Sequence, residues 1–332
     1  MRIFYVGDFY SNTGPANVNK VIQKYNQDND LFSVKKNIFM RFFELILKIF
    51  ISDAVIFSGI SRLNLIGIAL SKLFGKKTGY LMHGSCKFES EINRSNNKKI
   101  EKIEVEILEK IDVIICVSKL FKNWTKNEYP KYSNKIEYVN NAIDVEKISL
   151  KQIQNVTGRN DKMLMSTGGG APIKNIKSLC KAIDSLNKED FLNLRLLVLG
   201  NDGDDSNEIK SYDFVEFIPT VPSEKMNFYY QKANLYIQNS DFETFGLAPL
   251  EALLNGCNLL VSQNIGMLEV FDAYENSDII FNSYNHREIA EKIKSILIDS
   301  NNERLLNNVD WQCIDPEKLS QRFKKIMSNS KG

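Results

Sequence analysis

The sequence predicts an α/β protein made of two doubly wound, Rossmann-like domains. Short apolar runs bounded by turn residues alternate with helical stretches along the chain. Most of these runs lack a polar–apolar alternation, which fits strands covered on both faces in a parallel sheet. The strand–helix series occurs twice, and 332 residues are enough for two domains with separate cores.

In chain order, the strands expected in the first half are 2–6, 53–57, 77–82, 112–117 and 136–139. Those in the second half are 163–166, 194–199, 214–217, 235–238, 258–262 and 278–281. Helices are expected between them, among others over 98–110, 174–186, 223–232 and 286–299. The seam falls near 148–161, ISLKQIQNVTGRND, a polar stretch carrying Gly158. This gives domains over 1–152 and 153–310. A second break follows Asn302, and 311–327 reads as one more helix with Trp311 near its start. No solenoid repeat or low-complexity tract is visible.

Composition narrows the function classes. Charged residues make up 25% and hydrophobic ones 43%, a soluble globular balance, and the formal charge of +2 argues against wholesale nucleic-acid binding. The abundance of Lys, Asn, Ile and Ser hints at an AT-rich bacterial genome. Five widely spaced cysteines without a C-x-x-C pair read as buried thiols in a reducing cytoplasm, not as a disulfide framework or zinc site. The chain opens on the strand RIFYVG with no signal peptide, and no run is long and apolar enough to span a membrane. Residues 35–50, KKNIFMRFFELILKIF, come closest, but Arg41, Glu44 and Lys48 break them. The reading is a core helix with snorkelling cations, with a membrane-surface helix as the alternative.

Open α/β sheets bind ligands beyond the C-terminal ends of their strands, so each polar loop after a strand is a candidate. The most informative is Phe242 to Gly256, FETFGLAPLEALLNG. It holds two carboxylates, Glu243 and Glu251, around a turn that opens into a short helix. Pro249 suits the first helical position and Gly256 the residue just past the end. Backbone N–H groups at Gly246, Leu247 and Ala248 make such a helix start a phosphate site. A carboxylate has two acceptor oxygens, so Glu251 can grip both hydroxyls of a ribose, while Glu243 can hold sugar hydroxyls. Amides for a diphosphate with an acid on either side suit a nucleotide sugar.

This stretch resembles the E-x7-E motif of the retaining glycosyltransferases of family 4, which have the two-domain GT-B fold. The resemblance extends over nearly the whole chain. It includes LMHG at 81–84, VNNAIDVEKI at 139–148 (with Ala142 where the family has Gly), YYQKANLYIQNSDFETFG and the Trp311 tail. It implies two domains facing across a cleft, with a C-terminal helix over 311–330 crossing back to the first. The first domain would bind the acceptor and the second the donor. Glu243 would contact the donor sugar and Glu251 the ribose. The backbone of Thr244, Phe245, Gly246 and Leu247 would bind diphosphate and sugar.

Further residues follow from the same resemblance. TGGGAPIKN, 167–175, supplies Gly169 for close backbone approach and Lys174 as a point charge for phosphate. It lacks the G-x-G-x-x-G dinucleotide fingerprint. The family's diphosphate-binding Arg is missing, with Arg195, Lys177 or a cation of the first domain as substitutes. His83 would touch the donor sugar or the charge near the phosphate. Gly14, in SNTGPAN, falls where the family has a glycine-rich loop near the donor phosphates. Asp202-Gly203-Asp204 forms a D-x-D that fails as a calcium loop and reads as a polar turn.

The expected activity is retaining, metal-independent transfer of a sugar from a nucleotide sugar, expected to be a UDP-sugar, to a carbohydrate or lipid-linked acceptor. The nucleotide sugar is a co-substrate, and no cofactor or nucleic acid is expected. Bacterial surface polysaccharide synthesis in the cytoplasm is the anticipated setting, with peripheral contact at the inner face of the cell membrane as an option. The catalytic candidates are His83, Lys174 and Glu243. Competing readings are a nucleotide-sugar 2-epimerase, an inactive GT-B-like partner subunit that binds sugar or protein, and a metal-dependent enzyme using Asp202 and Asp204.

Overall fold

A computed structural model describes residues 1–26, 28–35, 37–93, 97–144, 160–190 and 192–329. Most of the expected seam, 148–159, lies outside the described residues. The chain forms two compact units, Met1–Ile143 with Gln312–Gly332, and Asp144–Trp311.

The first unit holds a six-stranded sheet in the order β2-β1-β3-β4-β5-β6. The strands are β1 (Ile3–Val6), β2 (Leu31–Phe32), β3 (Ala54–Ser58), β4 (Lys77–Met82), β5 (Val113–Cys116) and β6 (Ile136–Tyr138). All pairings are parallel. The unbroken apolar runs have their expected outcome: β1 and β5 are buried at every position. Only β2 escapes the sequence reading. Two residues carry no periodicity, and β2 exists because it pairs with β1 and stacks Phe32 on Tyr5 at 5.2 Å.

The helices of this unit are α1 (Gly14–Lys24), α2 (Ile38–Ile51), α3 (Arg62–Leu73), α4 (Cys86–Ile92), α5 (Lys98–Lys110) and α6 (Lys119–Glu128). The core reading of the 35–50 segment needs correction. Among the described side chains of α2 only Glu44, Leu45 and Ile49 are buried, while Phe39, Met40, Phe42, Phe43, Leu47, Phe50 and Ile51 are exposed. The cations do snorkel inward: Lys48 Nζ lies 2.6 Å from Phe32 O and from Glu44 Oε1.

The second unit holds β7 (Asn160–Thr167), β8 (Arg195–Leu199), β9 (Val215–Ile218), β10 (Ala233–Gln238), β11 (Asn258–Ser262) and β12 (Ile279–Ile280). They form a parallel sheet in the order β12-β11-β10-β7-β8-β9. Its helices are α7 (Ile176–Glu189), α8 (Ser206–Lys210), α9 (Ser223–Lys232), α10 (Leu247–Leu254), α11 (His286–Ile298) and α12 (Asn302–Asn307). Leu164, Leu179, Val198, Ile237, Leu260 and Ile293 are core residues without solvent exposure. Each such side chain contributes roughly 1.5–3 kcal/mol by leaving water.

The tail returns to the first unit as α13 (Leu319–Asn329), where Phe323 meets the edge of Tyr5 and Lys324 pairs with Asp28 at 2.6 Å. It starts later than expected. Residues 311–314 form turns, and Asp315, whose carboxylate accepts from Glu317 N at 3.0 Å, precedes Pro316 in a short 3-10 turn. An Asp-Pro pair favours a turn over continued helix, so Trp311 stands outside α13. Among the described residues no helix is long and apolar enough to cross a membrane.

Both sheets reverse direction beside their first strand. In the second, the chain runs β7, β8, β9 one way, then returns to β10 on the other side of β7. The crevice at the C-terminal ends of β7 and β10 is therefore a switch point, where doubly wound sheets bind ligands.

Candidate functional site

Three loops converge at the switch point of the second unit: 168–175 after β7, 239–246 after β10 and 263–266 after β11. Asp241 N donates to Ile173 O at 2.9 Å, Glu243 N to Asn264 O at 2.9 Å, and Gly266 N to Glu243 O at 3.0 Å. The irregular 241–245 segment is thus stapled on both sides through its own backbone, which satisfies polar groups that a buried loop would leave unpaired.

Lys174 ends the short turn Pro172–Lys174, and its ammonium forms an ion pair with the Glu243 carboxylate. Both are half-buried. The sequence places these side chains 69 residues apart, and the β7–β10 pairing brings them together. Gly168 makes room for the lysine: its φ is +116°, and a Cβ there would lie 2.4 Å from Lys174 Cγ.

The rest of the glycine run has a structural use. Gly168 N and Gly169 N donate to Leu199 O at 2.8 and 3.1 Å, and Gly170 N to Asn201 O at 3.0 Å. A Cβ on Gly169 would strike Asn201 O at 2.1 Å, and one on Gly170 would strike Gly203 N at 2.7 Å. The glycines let the 168–170 and 200–203 loops interlock, so their close backbone approach is to protein. What the loop presents at the switch point is Lys174.

Gly246 is the N-cap of α10, with φ +96°, and no side chain caps this helix start. A Cβ on Gly246 would meet Ile265 Cγ2 at 2.9 Å and Glu243 Cγ at 3.4 Å. The glycine is required both by its backbone and by the close approach of Ile265. Pro249 is the third helical residue, not the first, because Gly246 turns the chain into the helix two residues earlier than expected. A proline there still breaks no bond, since the first turn's N–H groups lack intrahelical partners. Leu247 and Ala248 keep such N–H groups at the positive end of the helix dipole. Phe245 is buried and gives the site backbone only, while Thr244 is half-buried on the loop.

Glu251 stands one turn along α10 from Leu247. Tyr230, fully buried on α9, donates its hydroxyl to Glu251 Oε2 at 3.2 Å. Burial, then the Glu251 charge, pushes the Tyr230 phenol well above its ordinary range, so it remains a donor. Under the site runs a buried polar chain. Tyr236 Oη meets Thr167 Oγ1 at 2.6 Å and donates to Gln238 Oε1 at 2.7 Å, and Gln238 Nε2 donates to Ser240 Oγ at 2.7 Å. The sequence reading missed this support because neither β10 nor α9 reveals by itself which polar side chains meet. The available signal was Tyr236 in β10 and the Tyr229-Tyr230 pair in α9.

Residues 149–309 match the family of glycosyl transferases group 1. The matched stretch falls within the second unit. The structure of Anabaena HepE in complex with UDP and glucose is similar over 99% of this chain and 100% of that one, at TM-score 0.72 and 13% identity. Sucrose-phosphate synthase from Thermosynechococcus elongatus is similar over 99% and 100%, at 0.71 and 15%. Trehalose-6-phosphate synthase OtsA is similar over 99% of both, at 0.67 and 9%. The fold is GT-B. A search of curated proteins found no match.

Within the second unit the expected substitutes for the missing Arg do not join Lys174. Arg195 opens β8, at the N-terminal edge of the sheet. Lys177 pairs with Asp205 at 2.9 Å. In the D-x-D, Asp202 pairs with Lys210 at 2.5 Å, and among the described residues no group of three His, Cys, Asp or Glu is placed to hold a metal.

Two candidates lie in the first unit. His83 follows β4, its Nε2 2.9 Å from Ser58 Oγ at the end of β3. Burial pushes its pKa down to about 4, so the imidazole is neutral at pH 7. Gly14 is the first residue of α1, where Thr13 Oγ1 accepts from Ala16 N at 3.4 Å, and a Cβ on it would meet nothing within 4 Å. Behind the His83–Gly84 turn, Glu104 on α5 is fully buried and accepts from Cys86 N, at the start of α4, at 3.1 Å. Burial pushes its carboxyl up to about 7.

Proposed function

We propose that the chain is a retaining, metal-independent glycosyltransferase that moves a sugar from a UDP-sugar to a carbohydrate or lipid-linked acceptor. One observation carries the reading: the Lys174–Glu243 ion pair beside the uncapped start of α10, at the switch point of the second sheet. The HepE structures with UDP and with UDP-glucose support the choice of donor.

The hard step is departure of a nucleoside diphosphate while positive charge builds on the sugar. Lys174 and the amides of Leu247 and Ala248 stabilise the leaving charge through groups already oriented before reaction. The sugar C1–O(phosphate) bond breaks, the acceptor oxygen bonds C1 on the same face, and the departing phosphate oxygen takes the acceptor's proton. Glu243 holds sugar hydroxyls and positions Lys174. Glu251, held by Tyr230, grips the ribose. His83 acts as a neutral hydrogen-bonding group on the sugar.

The test is transfer from a panel of nucleotide sugars in the presence of chelator, with product stereochemistry read by NMR. The expected result is α-linked product from an α-linked UDP-sugar. Inversion, or loss of activity on chelation, overturns the mechanism. A 2-epimerase would release a free isomerised sugar nucleotide, and an inactive partner subunit would bind donor and transfer nothing.

A further inference from the structure

The outer face of α2 carries no charge. Phe39, Phe43, Leu47 and Phe50 are 77%, 65%, 68% and 64% exposed, and Met40 and Ile51 extend the same face. Every charged side chain of the helix is turned away from it. Arg41 Nη2 donates to Gly7 O at 3.0 Å, Glu44 accepts from Val34 N at 3.0 Å, and Lys48 reaches Phe32 O and Glu44. The face continues onto the neighbouring α3 through the edge-on contact of Phe50 with Phe74 and the exposed Leu73 and Ile66. The apolar stripe of a helix normally faces a core. Contiguous exposed surface of this kind marks an interaction site.

Charge selects the occupant. Residues 33–77 hold eight Lys or Arg and two acids, a net +6, in a chain whose total is +2. The remainder is therefore net −4. Of the two acids in this stretch, Glu44 is buried and paired with Lys48. Lys35 before α2 and Arg62 and Lys72 on α3 are exposed, Lys72 lying 3.9 Å from Asp112. Phenylalanine and leucine outward, in a stretch of net positive charge, is what an interfacial helix presents to anionic lipid.

We propose that the α2–α3 face docks on an anionic phospholipid bilayer, with α2 lying flat and its phenylalanines inserted at the level of the headgroups. The proposal is independent of the donor chemistry, because it uses neither Lys174 nor either acid of the second unit.

The experiment is co-sedimentation of the full chain with phosphatidylcholine vesicles, with and without phosphatidylglycerol. Binding is expected only when phosphatidylglycerol is present, and it should weaken as salt rises. Phe43→Glu with Phe50→Glu should abolish it. Lys35→Gln with Arg62→Gln should reduce it roughly tenfold or more. Both pairs are exposed, so thermal melting should stay near wild type and show that the variants fold. Failure to bind anionic vesicles, or binding that the phenylalanine variants leave intact, overturns the proposal. A vesicle-free dimer that Phe43→Glu splits also overturns it, because a second copy would then be the occupant.

Discussion

The two sheets are both six-stranded and parallel but differ in strand order and in the side chains at their switch points. In the second, an ion pair stands beside a helix start that no side chain caps. In the first, α1 begins under the hydroxyl of Thr13, and the neighbouring strand end offers a neutral histidine bonded to a serine. A lysine and unpaired amides suit a diphosphate. A neutral imidazole and hydroxyls suit a polyol. Under the proposed function, one architecture serves two ligand chemistries through a few side chains at its strand ends.

The largest test of this contrast is Lys174→Ala, which we expect to lower turnover by roughly 100- to 1000-fold, the scale seen when one oriented donor to developing charge is lost. His83→Gln should cost far less, because glutamine retains a neutral donor. Equal losses would erase the distinction between the two strand ends.

Next comes Glu104, whose folded carboxyl titrates near 7, against an ordinary value near 4.5. Its folded pKa is raised, so its contribution to stability is full below about pH 4.5 and is lost as pH rises through 7. Glu104→Gln keeps an acceptor for Cys86 N and removes the buried charge. The variant should gain on wild type between pH 5 and 8, by up to about 3 kcal/mol. Parallel melting curves across that range would refute a buried, titrating Glu104.

A glycine pair sharpens the comparison further. Gly246→Ala forces a left-handed backbone and a 2.9 Å contact with Ile265, and should cost about 1–3 kcal/mol in denaturant unfolding together with donor affinity. Gly14→Ala faces open space and should stay within about 0.5 kcal/mol. The smallest effect is expected for Tyr230→Phe. Removing one hydrogen bond to Glu251 should weaken UDP binding by about 1 kcal/mol in calorimetry, with turnover at saturating donor unchanged.

Much of the fold was legible because buried parallel strands write themselves as unbroken apolar runs, as at β4 and β11, whose ends coincide with the reading. Two-residue β2 and the Asp315-Pro316 turn were not, since each depends on a local partner instead of a period. Of the candidate site, the two acids could be read from the turn and helix around them. Tyr230, Gln238 and Ser240 could not, because a buried polar side chain looks like any strand or helix residue until its partner is known. The glycine run at 168–170 misled in an instructive way. Glycine marks close backbone approach, but the sequence does not say to what, and here the neighbour is the 200–203 loop.

By itself the sequence determined the element series, the two-sheet class and the residue types able to meet a nucleotide sugar, because these follow from local periodicity and chemistry. Tertiary structure alone decided that Lys174 meets Glu243, that Tyr230 holds Glu251, and that the outer face of α2 is left exposed among the described residues. Each depends on strand order or on which face of an element packs, and those are settled by contacts between residues far apart in the chain.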